Sequence, residues 1–457
     1  MAHQDVVPID DPADWTYPPF SGHFDGEWVW GRGASDCKNV LIGLLSTVED
    51  LLAQDWSPNR TVVLAFGFDE ESHGFLGAGS LASALEKRYG RDSFEFILDE
   101  GGLGLRPVGK DIVYAQPGVG EKGSINIVVD LSVDGGHSSV PPGHTGIGIV
   151  AEIIYELERQ ELFTPLLDQN HPARKTLECE VVYSPAEDVE PWLKQALKSD
   201  NYEALGEAVA ESRGSKIRFT LQSSQATDLI HGGVKVNALP ERISTTVNYR
   251  VALHETPDLI KQRAIRIISP IASKYNLTLG AFGTTVIAGE NATSSKNHLE
   301  LHTSNDPLYP APLSPTTVGV DSVWTRFSGV VRSTFESVPS LSGRTVVVSG
   351  DVMTGNTDTR VRFFTQASLT IMDFIHTDVF FFFFFNNSFT GTCHPIFTDG
   401  VLRVLAPRLT RIQLTNAFQL MCIWKQWFCI MVSSFCFHSS YPSCHFLPIS
   451  LILPLLV

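Results

Sequence analysis

Apolar runs and amphipathic stretches alternate along the chain from residue 1 to about 115. Thr61-Val62-Val63-Leu64-Ala65-Phe66 and Phe96-Ile97-Leu98 are continuous and rich in β-branched or aromatic residues, the pattern of strands covered on both faces. Helical periodicity marks 39–54 and 78–90, and strand and helix in alternation predict a βαβ sheet. The pattern changes near Glu121. Ile125-Asn126-Ile127-Val128-Val129-Asp130-Leu131 opens a new strand, and Arg242 to Val251, followed by a helix from Pro257 to Tyr275, gives a β-then-α unit of ferredoxin-like type. A helical, acidic insert of 150–215 lies between them, and the first sheet is expected to resume near Pro315, with Thr345-Val346-Val347-Val348 as a strand. The predicted class is therefore α/β: a sheet domain covered by helices, interrupted by an inserted α+β domain.

The first apolar run delivers Asp69-Glu70-Glu71-Ser72-His73 to a strand's carboxyl end, the usual site edge of an open α/β sheet. Two adjacent carboxylates there can divide the work, one binding a cation and the other taking a proton from the attacking water. Other acids and imidazoles share that setting. His3 and Asp5 are two apart, on one face of an extended chain, which lets the carboxylate orient the imidazole. Gly31-Arg32-Gly33-Ala34-Ser35-Asp36 is a glycine-rich loop opening a helix, and the second apolar run ends in Asp99-Glu100. One imidazole with several carboxylates is a mixed nitrogen and oxygen set that suits zinc or a related divalent ion. Taken singly, each residue also has an ordinary reading. Asp36 would cap the following helix, Glu70 and Glu71 would favour a helix dipole, and Arg250 would be a solvated strand charge.

Composition narrows the partners. A net charge of -16 argues against nucleic acid. Two cysteines in the first 378 residues, Cys37 and Cys179, give no disulfide framework. Asn59, Asn276 and Asn291 stand in N-glycosylation sequences, which are used only in a secretory or vacuolar lumen.

Spread in order over residues 1–360, HQDVVP, YPPFSGHFDGEWVWGRGASDCKN, FGFDEESHGFLGA, LDEGG, EKG, GGHSSVPPGHTGIG, KVNALPE, NYRV and GNTDTR resemble the di-zinc aminoacylase and glutamate-carboxypeptidase metallopeptidases, and within them the vacuolar carboxypeptidase S group. The resemblance implies two zinc ions per chain. His3 would ligate one, with Asp5 orienting it. Asp36 would bridge the pair, Glu70 would be the general base and Glu71 would ligate the other zinc. Glu100 or its neighbour Asp99 would supply a further ligand. His137 resembles a lid histidine that polarises the scissile carbonyl, and Asn237 and Arg250 resemble residues that hold the substrate's carboxylate. The implied domains are a catalytic first part at 1–120, an inserted lid or dimerisation domain at 121–314, a catalytic second part at 315–378 and a tail at 379–457. His73 and His144 are expected to be local hydrogen-bonding residues, and Cys37 a small buried side chain.

Both ends depart from that pattern. Met1 stands two residues before His3 and reads as an internal methionine. The family's last zinc-ligand histidine would follow GNTDTR, where Val361-Arg362-Phe363-Phe364 stands instead, leaving His376 as the candidate. From Val379 onward come six consecutive Phe, five of the seven Cys and a single acid, Asp399, a composition without helical or strand period that reads as disordered or artefactual. The implied activity is removal of the last residue from short peptides, in a vacuolar lumen or at its membrane. The alternatives are hydrolysis of N-acyl amino acids, or a non-catalytic fragment binding at most one metal. A homodimer through the lid is the implied assembly.

Overall fold

The computed structural model describes residues 1–360, apart from 103, 161, 162, 289–295 and 321, and the backbone of 370–372 and 411–413. His376, the Asn291 sequence and the tail fall outside the described residues.

The first part runs β1 (Ala2–His3), β2 (His23–Phe24), β3 (Trp28–Trp30), α1 (Lys38–Ala53), β4 (Phe66–Gly67), α2 (Ala78–Tyr89), β5 (Ile97–Asp99), β6 (Gly104–Val108), β7 (Ile112–Gln116) and β8 (Gly118–Glu121). β1 pairs in parallel with β4, setting His3 opposite Gly67. The strand expected over 61–66 is thus confined to its end. β1 offers two residues of ladder, Val62 is exposed, and 61–65 lies outside any strand. The expected single βαβ sheet is likewise divided into separate small sheets, and β6 and β7 form an antiparallel hairpin rather than a crossover.

The second part holds β9 (Gly123–Ser132), β10 (Gly136–His137), α3 (Gly146–Arg159), α4 (Pro172–Tyr183), α5 (Leu193–Ala196), α6 (Tyr202–Arg213), α7 (Ser215–Leu221), β11 (Ser224–Gly232), β12 (Ala238–Leu239), β13 (Arg242–Val251), α8 (Pro257–Lys274), β14 (Thr278–Ala281), β15 (Thr284–Ile287) and β16 (His298–Thr303). β11, β13, β9, β16, β14 and β15 form one six-stranded sheet in that order. α8 starts at a Thr256 cap and presents Ile260, Ala264, Ile267, Ile268 and Ile271 to the sheet, the i, i+4, i+7 stripe of a core-facing helix. Each such side chain contributes roughly 1.5–3 kcal/mol when fully buried. Along β13, Ile243, Thr245, Val247, Tyr249 and Val251 are buried, so the alternation puts Arg250 on the face away from α3 and α8. The helical insert starts later than expected and runs further. α3 belongs to the core of the six-stranded sheet, whereas α4, α6 and α7 enclose their own cluster around Leu167, Leu177, Val209 and Leu221.

The chain then returns. Ser124 and Leu308 exchange backbone hydrogen bonds of 2.8 Å, and Ala311 N–H donates to Glu121 O, so the outgoing and incoming strands lie side by side. α9 (Val323–Glu336) and β17 (Thr345–Val348) follow, with β17 parallel to β7, and β18 (Asp351–Met353) is parallel to β8. Trp324, Phe327, Val331 and Phe335 of α9 close a core with Val113, Ala115 and Val346. β19 (Thr370–Met372) lies between β5 and β8, and β20 (Arg411–Gln413) beside β3. No helix among the described residues is long and apolar enough to cross a membrane.

Candidate metal centre

Because β1 and β4 are parallel, the residues after each emerge at the same edge, which brings His3 and Asp5 to the Glu70–Glu71 turn. Asp5 joins the two. Its Oδ1 is 3.2 Å from His3 Nδ1 and accepts the Glu70 N–H at 3.1 Å, while its Oδ2 accepts the Glu71 N–H at 3.0 Å. On the other side of the ring, His3 Nε2 is 2.9 Å from Asp36 Oδ1 and 3.2 Å from Glu100 Oε1. His3, Asp36, Cys37 and Glu100 each direct one ligand atom into a space where those atoms lie within 4.8 Å of one another. Asp36 does not cap α1. The cap position is Cys37, and the Asp36 carboxylate, 69% exposed, forms the open side of the group.

The electrostatics fit a cation. Burial lowers the His3 pKa, but hydrogen bonds to Asp36, Cys37 and Glu100 more than offset it, and the imidazole ends well above its ordinary value. Glu100 is pushed up to about 7, by burial first and by neighbouring carboxylates against the pull of His3. Glu71 is raised by burial and by Asp36, so the two carboxylates feel one another. Asp99, 2% exposed, is raised by burial, and its Oδ2 has no partner among the described residues. Such crowded acids are stabilised by a bound divalent ion, and the donor set of one imidazole and several carboxylates is one zinc accepts.

Glu70 is 7% exposed, and burial pushes its carboxyl up to about 8 although the Arg360 guanidinium opposes the shift. Arg360 Nη2 donates to the Glu70 backbone carbonyl and, at 2.8 Å, to Oε1. The sequence pattern assigns no role to Arg360 or Asp358, yet both lie beside the base. Asp358 is buried, is raised to about 7 by burial and by Asp99, and leaves no room for a side chain at Gly67 or Gly74, where a Cβ would come within 2.4 and 2.5 Å of its carboxylate. The GNTDTR word was the available signal. EKG was another, since Glu121 accepts hydroxyl hydrogen bonds from Thr357 at 2.6 Å and Thr359 at 3.1 Å.

His137 and Asn237 meet elsewhere. β10 pairs with β12, setting His137 Nε2 3.3 Å from Asn237 Nδ2, and His137 is exposed. Among the described residues neither contacts the His3 group. Arg250 makes no hydrogen bond with Asn237 and lies within electrostatic reach of Arg360, Asp228 and Glu70. His73 is not local in its bonding. Its Nε2 is 3.0 Å from Asn305 Nδ2, linking the Glu70–Glu71 turn to the returning strand. His144 packs edge-on against Tyr275, and Cys37 is fully buried with its Sγ accepting the His3 N–H at 3.1 Å.

Glu121 gives a test that needs no activity. Burial pushes its carboxyl up to about 8. Its pKa is higher folded than unfolded, so folding holds a proton. The stability this brings is complete below the ordinary carboxylate range and is lost as pH rises through about 8. Glu121→Gln keeps an oxygen for both threonines without ionising. Melting temperatures measured from pH 5 to 8 should therefore favour the variant increasingly toward pH 8. A constant difference would show that Glu121 does not titrate in this range.

Residues 1–255 match peptidase family M20/M25/M40. Carboxypeptidase S of Saccharomyces cerevisiae is 39% identical over 79% of this chain and 62% of its own length, and the putative carboxypeptidase YOL153C of the same yeast 38% over 79% and 61%. The human N-fatty-acyl-amino acid synthase/hydrolase PM20D1 is 29% identical over 82% of this chain and 65% of its own length. The chain spans under two thirds of the length of each of these relatives. A match over more than half of the chain makes this protein a member of peptidase family M20/M25/M40.

Proposed function

We propose that the chain is a zinc-dependent carboxypeptidase that hydrolyses the C-terminal peptide bond of short peptides. The observation that carries the reading is the group formed by His3, Asp36 and Glu100, with Glu70 on the turn that Asp5 ties to His3. His3, Asp36 and a carboxylate of the Asp99–Glu100 pair would hold one zinc, and Asp36 with Glu71 the other. Glu100 is favoured by its distance to His3 and Asp99 by its unpartnered oxygen. Zinc content of Asp99→Asn and Glu100→Gln assigns the ligand, since the variant that loses metal names it. Bound zinc would polarise the scissile carbonyl and acidify the attacking water. Glu70 takes the proton from that water and passes it to the leaving amine. Arg360 fixes the carboxylate for this transfer by holding both the backbone and the side chain of Glu70.

Arg250 supports the substrate class. No carboxylate of the described residues lies within ion-pair distance of it, and burial lowers its pKa, so a half-buried cation on the base's side of the six-stranded sheet is left for an external anion. The six-stranded sheet with α3 and α8 is the lid of this reading, and His137 and Asn237 belong to it. Arg250→Ala is expected to weaken peptides with a free terminal carboxylate by roughly 1.5–3 kcal/mol while leaving metal content unchanged. Amidating the peptide should cost the parent protein a similar amount. Equal hydrolysis of amidated and free peptides would end the carboxypeptidase reading.

The relative named as an N-fatty-acyl-amino acid hydrolase favours a second reading, because an acyl amino acid also presents an amide beside a carboxylate. Rates on a blocked dipeptide and on a long-chain acyl amino acid, measured with zinc per chain, separate the two. Zinc near zero with no turnover on either would refute both.

A further inference from the structure

We infer that Asn356 is the residue that aims Arg250 at the substrate's carboxylate, and that the turn 356–360 sets how far that anchor stands from the base; the inference rests on the reading of Arg250 above. Arg250 Nη1 donates to Asn356 Oδ1 at 3.1 Å. The other end of the same amide, Nδ2, donates to the backbone carbonyl of Lys122. A guanidinium can only donate and a carbonyl can only accept, so the two partners fix which end of the amide faces Arg250. Asn356 is therefore a bridge with one orientation, not a rotating contact.

The mount on which it stands is rigid. Lys122 is buried, and its Nζ donates to Phe219 O at 3.1 Å and Gln222 O at 2.8 Å, gripping the carboxyl end of α7. Its N–H donates to Met353 O. One residue earlier, Glu121 receives the hydroxyls of Thr357 and Thr359. Asn356, Thr357 and Thr359 are thus fastened to the strand end Glu121-Lys122, and Arg360, the last residue of the turn, grips Glu70. One short turn holds a guanidinium partner at each end. Asn356 sets Arg250, on the six-stranded sheet, and Arg360 sets the base. A substrate whose carboxylate met Arg250 would present to Glu70 the amide at a fixed span from that carboxylate, which restricts cleavage to a terminal residue.

The test uses the full chain loaded with zinc and two probes, N-acetylphenylalanine and its amide, with binding measured by calorimetry. In the parent protein the acid should bind more tightly than the amide. Asn356→Ala should weaken the acid about tenfold, the scale of one charge-assisted hydrogen bond, and leave the amide and the zinc content unchanged. Arg250→Ala should abolish the preference for the acid. The double variant should then equal Arg250→Ala, because Asn356 acts only through Arg250. Asn356→Asp keeps the volume but pairs its own charge with Arg250, so it too should lose the preference for the acid, and it replaces the alanine variant should that one fail to fold. If Arg250→Ala abolishes the preference while both Asn356 variants keep it, the role of Asn356 is refuted and the function stands. Equal losses for acid and amide refute the role as well. If Arg250→Ala leaves the preference intact, the reading of Arg250 itself fails.

Discussion

Glu70→Gln is expected to lower the hydrolysis rate at least about 10²-fold, the scale of losing a general base, with zinc content unchanged. Glu71→Gln should instead lose zinc. The two residues are adjacent, yet Asp5 and Arg360 separate their tasks. Asp5 takes both backbone N–H groups and so fixes the turn, Arg360 draws the Glu70 carboxylate to itself, and the Glu71 carboxylate is left facing Asp36. Burial raises the Glu70 carboxyl against the pull of Arg360, and bound zinc would draw it back down, leaving a carboxylate able to act as the base. Metal analysis and single-turnover rates on the two variants decide the division. Equal zinc loss in both would overturn it.

Much of this arrangement was legible in the residues, and what was not has a physical cause. α1, α2 and α8 followed from their 3.6-residue periodicity, β13 alternates strictly between buried and less buried positions, and β9 does so except at Val128, because one buried face dictates both patterns. The strand over 61–66 was overestimated for a reason that periodicity does not carry. A strand needs a neighbour of equal length, and β1 pairs with two of its residues. Glu70, Glu71, Asp99 and Glu100 were readable because each pair ends an apolar run, so burial and chemistry lie next to each other in the sequence, whereas Asp36 follows a glycine-rich loop. Arg360, Asn356 and Glu121 gave no such signal. Their partners Glu70, Arg250 and Thr357 are 290, 106 and 236 residues away, and a hydrogen bond across that distance leaves no local pattern. GNTDTR and EKG were recognisable as words, but neither word says which residue it serves. Asp36 was ambiguous between cap and ligand. The geometry assigns the cap position to Cys37 and leaves the Asp36 carboxylate facing His3.

Asp5 ties the strand bearing His3 to the turn bearing Glu70 and Glu71, and its removal should be felt at all three. Asp5→Ala takes away the carboxylate oxygen 3.2 Å from His3 Nδ1, keeps the Asp5 backbone carbonyl that stands 3.1 Å from the same nitrogen, and leaves the Glu70 and Glu71 N–H groups without their acceptor. Loss of a carboxylate that orients a ligating histidine typically costs 10–100-fold in metal affinity, and an unpaired buried donor adds roughly 1–3 kcal/mol for each group. Zinc affinity measured by competition with a chelator should therefore fall at least about tenfold in Asp5→Ala. Asp5→Asn keeps one acceptor oxygen and should fall less. Turnover should drop in both variants even at saturating zinc, because the turn bearing Glu70 is no longer fixed to the strand bearing His3. Unchanged zinc affinity in Asp5→Ala would mean that the backbone alone positions His3. Full turnover at saturating zinc would mean that Arg360, rather than Asp5, holds the base in place.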